Sequence, residues 1–399
     1  MLVQKISGIF ILALFLFAPS LYAQKAKPQT VHRIIYEVKP NEWYLTQAKL
    51  WQKVVQKNPK NPEAWRNYYL AVRYSHPAQF TPQAFKEKNQ KMEKILTEMG
   101  QNVPNSYDYY FLKFYHYSAY KKGDINLLKK AYAIHPDRPE LYYFFIIYYF
   151  THNNPKKAET FCKKLYRSKD IIPDLLDYNY NVMASCKPNA VLFTNGDNDT
   201  YPVWVLQSAK NIRPDITVIN ASLAMGYPKY LQQLLKKRHI AIDTLKLKHK
   251  TRGDFLKALI HQIKSASPDT PIYIALTLPG NNIKTLQDSM YIVGLAYRYS
   301  TEKLDNLALL NRNVSEKFRL DYLQHSWYTE DYLAKKSMDM LNLNYAVIFS
   351  TLVDHLYLSG QIEQANRWKE LALSLARKGG NQKLVRYLNS LMSEPNKEK

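Results

Sequence analysis

The spacing of apolar residues divides this chain of 399 residues into three regions. From residue 41 to about 180, aromatic and aliphatic residues recur at helical intervals, which predicts amphipathic helices. From 189 to 300, short apolar runs alternate with helical stretches, which predicts β-strands separated by helices. The helical spacing returns after residue 304. We therefore expect an α/β domain flanked by two all-α regions.

The first helical region shows signs of an internal repeat. Prolines mark three helix starts, near Pro62, Pro104 and Pro139, and the blocks that contain them are about 43 and about 34 residues apart. The shorter spacing matches the helix-turn-helix repeat of tetratricopeptide type. Most tyrosines here are expected to pack between helices, and a few exposed ones could hold a peptide. We predict tetratricopeptide-like repeats over 41–186 and further helical hairpins over 304–392.

Residues 187–303 are predicted to form a Rossmann-like, mostly parallel, three-layer α/β domain. The predicted strands at 190–194, 216–220 and 271–276 alternate with helices, which favours a parallel sheet covered on both faces. Right-handed crossovers place the carboxyl ends of such strands at one edge, where open α/β sheets bind ligands. That edge is predicted to carry the loops at 194–200, 220–227 and 277–283.

The first of these loops, Asn195-Gly196-Asp197-Asn198-Asp199-Thr200, is the densest polar motif of the chain. Carboxylates and amides at the edge of a sheet are typical of ligand binding, and Asp197 and Asp199 could bind a divalent cation. A structural role is the alternative, because Asp199 or Thr200 could cap the following helix. The candidate ligand-binding residues are Asn195, Asp197, Asn198, Asp199, Thr200, Asn220, Tyr297 and Arg298.

The first residues have the pattern of a signal peptide. Lys5 precedes an apolar run over 6–18, and Leu21-Tyr22-Ala23 forms an acceptable cleavage site. The run is shorter than the roughly 20 residues of a membrane span. We expect a signal peptide over 1–23, with an uncleaved N-terminal anchor as the alternative, a linker over 24–40 and a frayed tail over 393–399. The mature chain would be periplasmic or otherwise exported, without a transmembrane span.

The net charge indicates which partners are possible, and the two cysteines raise the question of a disulfide. The net charge of +23 favours anionic partners, either an envelope protein or an anionic glycan or lipid surface. Nucleic acid is not expected, because an exported chain rarely meets it. Cys162 and Cys186 could form a disulfide in an oxidising compartment, and the alternative is two buried thiols.

Three sequence blocks carry a family resemblance. They are Asn195–Trp204 with Arg213-Pro214-Asp215, then Gly294–Arg298, then Asn344-Tyr345-Ala346. Over about residues 187–377, the chain resembles the soluble C-terminal part of bacterial multi-pass membrane proteins of unknown function related to protein O-mannosyltransferases. The resemblance implies an export-side, glycan-related setting. The membrane-spanning half, where transferase chemistry would reside, has no counterpart, and helical repeats stand in its place.

One loop departs from that family. Ala224-Met225-Gly226-Tyr227 follows Ser222 where the family tends to have Asn-Thr-Asp-Trp, so an acidic residue is lost. We expect an exported binding or assembly protein of the cell envelope, with its ligand crevice at 195–200, rather than an enzyme. A glycan-related transferase or hydrolase using Asp197 and Asp199 is one alternative, although glycosidase carboxylates flank a bond at about 5–10 Å. A purely structural scaffold is the other.

Overall fold

The computed structural model describes residues 27–77, 79–118, 123–247, 251–325 and 334–391. The predicted signal peptide at 1–23 and the predicted tail at 393–399 lie outside these residues. The chain divides into two compact units. Of the described residues, the first unit contains 27–31 and 39–103, and the second contains 32–38 and everything from 104 onward.

The first unit is built from three helices: α1 (Asn41–Lys57), α2 (Pro62–Tyr74) and α3 (Pro82–Asn102). The side chain of Asn61 accepts a hydrogen bond from the Ala64 amide, and Thr81 caps α3 in the same way. Each cap is followed by proline, which suits the first turn of a helix. The segment before α1 is held where the Val31 amide donates to Asn67 Oδ1 at 2.7 Å.

The second unit begins with five helices: α4 (Tyr107–Ser118), α5 (Ile125–Ile134), α6 (Glu140–Thr151), α7 (Pro155–Ser168) and α8 (Pro173–Ala184). Consecutive helices pack as pairs, α4 on α5 and α6 on α7. Aromatic residues fill the space between them, and Phe145 stacks on Phe161 with ring centroids 4.5 Å apart. Most aromatic side chains of this region are buried or half-buried, so they act as packing residues.

The α/β region follows the helical pairs. Its elements are β1 (Val191–Thr194), α9 (Asp197–Lys210), β2 (Thr217–Asn220), α10 (Ala221–Gly226), α11 (Pro228–Lys236), α12 (Arg252–Ala266), β3 (Ile272–Ala275), β4 (Met290–Ile292) and β5 (Ala296–Tyr299). Short 3-10 turns lie at Thr244–Leu247, Gly280–Asn282 and Lys284–Ser289. The sheet has five strands in the order β2-β1-β3-β5-β4.

The sheet is mixed, which corrects the expectation of a mostly parallel one. β1 runs parallel to β2 and β3, whereas β5 runs antiparallel to β3 and to β4. The chain returns after β3 through 3-10 turns and a β4–β5 hairpin instead of a helix, and a tight hairpin joins only antiparallel strands. Gly294 lies in this hairpin at φ +155°, where a Cβ would collide with Ser185 Oγ and the Phe318 ring.

Both faces of β1, β2 and β3 are buried, so these strands are largely apolar. Leu192 and Tyr273 face a core shared with α8, α9 and the C-terminal helices. Phe193 and Ile274 face the opposite core, which α10, α11 and α12 complete. Side chains alternate across a strand, so each strand contributes to both cores.

The C-terminal part is again helical: α13 (Asn306–Arg312), a π-helical turn (Asn313–Lys317), α14 (Asp321–Gln324), α15 (Lys335–Leu358), α16 (Ile362–Lys378) and α17 (Gln382–Ser390). α15 packs along α16, and Phe349 stacks on Trp368 at 4.9 Å. Asn181 of α8 donates to the Tyr345 hydroxyl at 2.7 Å, which ties α15 to α8. Within the described residues, no helix has the length and apolar character that crossing a membrane requires.

The two cysteines do not form the disulfide that was one of the two expectations. Both are free and buried. Cys186 Sγ donates to the Val182 carbonyl at 3.5 Å, whereas the Cys162 thiol lies beside Ser208 on α9. Burial raises the pKa of Cys162 to about 12, so this thiol stays protonated and behaves as a small core residue.

Candidate functional site

The polar motif at 195–200 lies at the carboxyl end of β1, where the strand order reverses between β2 and β3. This is the switch point at which open α/β sheets usually bind ligands. The motif is not a loop throughout, because α9 begins at Asp197, with Gly196 as its N-cap. Four of the six residues therefore belong to the first turn of a helix.

Asp199 closes the amino end of α9. Its carboxylate accepts hydrogen bonds from the Asn195 amide at 2.7 Å and the Gly196 amide at 2.8 Å, and from the Thr277 hydroxyl. The residue is 2% exposed. Burial raises the pKa of Asp199, and the hydrogen bonds from Asn195, Thr277 and Gly196 offset part of that rise. Asp199 thus has the capping role that the sequence left open against ligand binding.

Thr200 and Asn220 meet inside the protein. Asn220 Nδ2 donates to Thr200 Oγ1 at 3.0 Å, and Thr200 Oγ1 also lies 2.7 Å from Thr194 Oγ1. Asn220 Oδ1 accepts from the Leu223 amide and so caps α10. Thr194, Thr200 and Asn220 are all buried. The structure brings the predicted pair together, but as a junction between β1, β2 and two helices.

Asn195 accepts a hydrogen bond from a residue that was not predicted from the sequence to belong to the site. Arg252, the first residue of α12, donates to Asn195 Oδ1 at 2.7 Å and to Ser222 Oγ at 2.9 Å. The guanidinium therefore bridges the segments that follow β1 and β2. The sequence feature that could have identified Arg252 is its position directly after the N-cap Thr251, at a helix start on the same sheet edge.

Asp197 and Asn198 are exposed and line a small cavity of about 40 Å³. Behind it, the Tyr36 hydroxyl lies 2.9 Å from both oxygens of the Asp170 carboxylate, and Tyr143 donates to Asp170 at 2.6 Å. Although Asp197 is exposed, the protein around its carboxyl group raises its pKa, and Arg33 partly offsets this. The cavity has room for only a few water molecules.

Tyr297 and Arg298 lie away from the 195–200 motif. In the register of the sheet, Ala296 pairs with Ala275 and Arg298 pairs with Tyr273. Because β5 is antiparallel to β3, the chain runs from the carboxyl edge back toward the amino edge. Arg298 therefore lies near the amino ends of the parallel strands. Tyr297 faces the opposite core, against α12.

The divalent-cation site at Asp197 and Asp199 stays a prediction, and the geometry shows which ligands it would have. Among the residues that the structure describes, no three His, Cys, Asp or Glu residues are grouped closely enough to hold a metal ion. The Asp199 carboxylate is already held by two amides and a hydroxyl. Asp197 therefore has no second acidic ligand beside it.

Larger spaces lie on the helices that follow β2. Two cavities of about 630 Å³ each share Thr151, His152 and Tyr227. We call the two together the aromatic groove. Its large apolar and aromatic lining residues are Phe114, Ile125, Phe144, Ile147, Tyr148, Leu223, Met225, Tyr227, Tyr230, Leu231, Leu245, Leu247 and Phe255. Each volume lies within the range of roughly 300–1,000 Å³ that is usual for ligand pockets.

The groove is built by the segment after β2 and the end of α6. Asn220 caps α10, and Pro228 starts α11, so Tyr227 is held at the corner between the two helices. The rings of Tyr148 and His152 stack at 4.1 Å. Leu245, another lining residue of the groove, is 71% exposed. Sequence reasoning missed these residues, although Ala224-Met225-Gly226-Tyr227 is the segment that departs from the family pattern.

Comparisons with known proteins agree with part of this description. A family model described as TMEM260-associated domain 2 matches residues 175–251, about a fifth of the chain. The match supports, at this coarse level, the resemblance to proteins related to membrane O-mannosyltransferases. It covers the 195–200 motif and the segment after β2. No curated protein matches the chain.

A solved structure, "Structure of Naa15/Naa10 bound to HypK-THB", is similar over 89% of this chain at 12% sequence identity. The chain spans about half of the length of that protein, 54%. The TM-score is 0.27, and a score at this level does not establish a shared fold.

Proposed function

We propose that this chain is a binding protein of the cell envelope, which docks an apolar segment of a partner protein in the aromatic groove. The observation that carries the proposal is the groove itself, two adjoining cavities of about 630 Å³ with a largely aromatic and aliphatic lining. Aromatic side chains dominate the energetics of many protein interfaces because they bury much surface with little loss of rotamer freedom, and methionine adapts its flexible side chain to an apolar partner.

The charge of the protein indicates what flanks the apolar anchors of the partner. Lys229 lines the groove and is exposed, and Lys246 lies between the lining residues Leu245 and Leu247. Asp124, the acidic residue at the other end, is occupied as the N-cap of α5. With a net charge of +23, the surface favours a segment whose apolar residues are flanked by Asp or Glu.

The setting of this activity is the export side of the envelope, close to glycan metabolism. The signal-peptide pattern at 1–23 and the family match at 175–251 support this placement. The helical pairs serve as a tetratricopeptide-like scaffold, and the covered sheet serves as a Rossmann-like core that holds the segment after β2. The pairing of α4 with α5 and of α6 with α7 supports the first assignment.

Binding is favoured over a glycan-directed reaction at Asp197 and Asp199 for a geometric reason. Asp199 is 2% exposed and its carboxylate is held by backbone amides. Asp197 lines a cavity of about 40 Å³, which is too small for a sugar ring. The two carboxylates therefore do not flank a space in which a glycosidic bond could lie.

A selection from a random peptide library on the intact protein tests the proposal. Leu245→Asp places a charge on the groove at a side chain that is 71% exposed, so the core is not disturbed. Leu358→Asp, at a residue of α15 that is 88% exposed, is the matched control. We expect selected peptides with aromatic or aliphatic anchors flanked by acidic residues, measured by fluorescence anisotropy.

The expected result is a loss of affinity of at least about tenfold for Leu245→Asp, because burying an unpaired charge at an apolar contact costs more than about 1.4 kcal/mol. Leu358→Asp should bind as the wild type does. Equal binding to both variants, or a selection that enriches no such peptides, would overturn the proposal and favour a purely structural scaffold.

A further inference from the structure

A further cavity, of about 290 Å³, lies at the amino edge of the sheet. Four cationic side chains line it: Lys187, Arg298, Arg312 and Lys317. None of its other lining residues is acidic. We call it the cationic pocket. It is separate from the aromatic groove, and the inference drawn from it does not depend on the proposed function.

Four different elements bring these cations together. Lys187 immediately precedes the turn into β1, and its amide donates to the Tyr273 hydroxyl at 3.1 Å. Arg298 on β5 is the register partner of Tyr273, so both lie on the sheet face that α13 covers. Arg312 ends α13, and Lys317 ends the π-helical turn after it. The fold thus brings the four positive charges together at this point.

Within the described residues, the four side chains make no ion pair or side-chain hydrogen bond. The carboxylate of Asp215 nearby is taken up by Arg213, at 2.9 Å to each of two nitrogens. Burial lowers the pKa of Lys317, the neighbouring guanidinium groups of Arg312 and Arg213 lower it further, and Glu316 and Cys186 offset part of this. Like charges held this close repel, and an anion between them would relieve the repulsion.

Two buried polar residues add hydrogen-bonding capacity. The Tyr273 hydroxyl accepts from the Lys187 amide, so its own hydrogen remains able to donate to an anion. Burial raises the pKa of Tyr273 to about 12, so the hydroxyl keeps its proton. Asn313 is 4% exposed, and its Nδ2 donates to the Val293 carbonyl at 2.6 Å. Its Oδ1 has no hydrogen-bond partner among the described residues, so it could accept from a ligand hydroxyl.

We propose that the cationic pocket binds a small oxyanion that carries hydroxyl groups, of the size and chemistry of a sugar phosphate or an acidic sugar. Arg298 and Arg312 offer planar guanidinium groups, which bind phosphate or carboxylate through two parallel hydrogen bonds. Lys187 and Lys317 add point charges at the rim. The volume of about 290 Å³ suits one such molecule.

Isothermal titration calorimetry on the full chain at low ionic strength tests this site. The probes are inorganic phosphate, glucose 6-phosphate and glucuronate, with glucose as the neutral control. We expect the anions to bind and glucose not to bind. A preference for glucose 6-phosphate identifies a phosphate ligand, and a preference for glucuronate identifies a carboxylate ligand; either result supports the site.

Variants locate the binding. Arg298→Gln should weaken binding at least about tenfold, since a bidentate charged contact is lost. The double variant Arg312→Gln/Lys317→Gln changes two exposed residues, so it tests the site without risk to the fold. Lys49→Gln/Lys53→Gln in α1 removes the same charge elsewhere and should bind as the wild type does.

Three results would overturn the inference. One is the absence of anion binding by the wild type up to about 10 mM, a concentration well above the Kd of an ordinary small-ligand site. Another is an equal loss of affinity in the α1 variant, which would indicate non-specific attraction to a basic protein. The last is unchanged binding in both pocket variants.

Discussion

The two edges of the sheet both hold polar side chains, but those of the 195–200 motif and those of the cationic pocket are used in opposite ways. At the carboxyl edge, Asp199, Thr200 and Asn220 hydrogen-bond to the protein itself. Near the amino edge, the side chains of Lys187, Arg298, Arg312 and Lys317 make no hydrogen bond or ion pair among the described residues. A dense polar motif in a sequence therefore does not by itself mark a binding site. What matters is whether the fold has already satisfied its donors and acceptors.

The largest expected effect is at Asp199. Asp199→Ala removes the acceptor of the Asn195 and Gly196 amides and of the Thr277 hydroxyl, and we expect the free energy of unfolding to fall by about 3 kcal/mol. Urea denaturation followed by circular dichroism measures the change. Asp197→Ala, at an exposed neighbour, should change stability by less than about 0.5 kcal/mol. If the two variants are equally stable, the carboxyl edge is not the closed junction described above.

A smaller loss is expected at Thr200. Thr200→Val keeps the shape of the side chain but leaves Asn220 Nδ2 without its acceptor inside the protein. We expect a loss of about 1.5 kcal/mol in the same denaturation experiment, because a buried donor then goes unsatisfied. Thr351→Val, at the half-buried Thr351 of α15, is a control with an expected change within about 0.5 kcal/mol. A wild-type-like Thr200→Val protein would contradict a buried network at this point.

The ion pair of Asp215 with Arg213, near the amino edge of the sheet, should make the stability of the protein depend on pH. The hydrogen bond from Arg213 lowers the pKa of Asp215 to about 2, below its usual value near 4. The resulting stabilisation is complete above about pH 4 and is lost as the pH falls through about 2. Allowing for solvent screening, it amounts to about 1 kcal/mol.

Unfolding curves between pH 6 and pH 2 measure this contribution. The wild type should lose about 1 kcal/mol more than Asp215→Asn over that range, because the amide has no charge to neutralise. Identical pH profiles for the two proteins would show that the Arg213 pair contributes nothing measurable.

The smallest expected effect is a gain in stability, opposite in sign to the losses expected at the carboxyl edge. Arg312→Gln removes one of the crowded cations of the cationic pocket, and we expect stability to increase by about 0.5 kcal/mol at low salt. The gain should shrink in about 0.5 M salt, where such repulsion is screened. A loss of stability at low salt would mean that the charges at the amino edge are compensated after all.

Local features of the fold were predictable from the sequence, because their causes are local. Prolines after Asn61 and Thr81 mark helix starts, and the apolar runs around Leu192 and Ile219 mark strands. The hairpin of β4 and β5 was missed, since its strands are short and half-buried and lack a strong apolar pattern. Because this hairpin was not predicted, Arg298 was placed at the wrong edge of the sheet.

The candidate sites depended on residues that are distant in sequence. The partner that decides the role of Asp199 is Thr277, 78 positions away. The cationic pocket joins Lys187 to Lys317 through a strand and a π-helical turn that no local pattern predicted. Spacing within 195–200 could therefore propose both capping and ligand binding, and only tertiary contacts distinguish them.

The core that α15, α16 and α17 share with the sheet also has a consequence for biosynthesis. One face of the strands, at Leu192 and Tyr273, is covered by a core that extends to Leu388. A ribosome-bound chain that stops before α15 leaves this face open to water, so the second unit cannot reach its native state until the helices up to α17 have been translated. Contacts across such long stretches of sequence also make folding slow. Until those helices are made, the nascent second unit stays in an incompletely folded form that chaperones can bind.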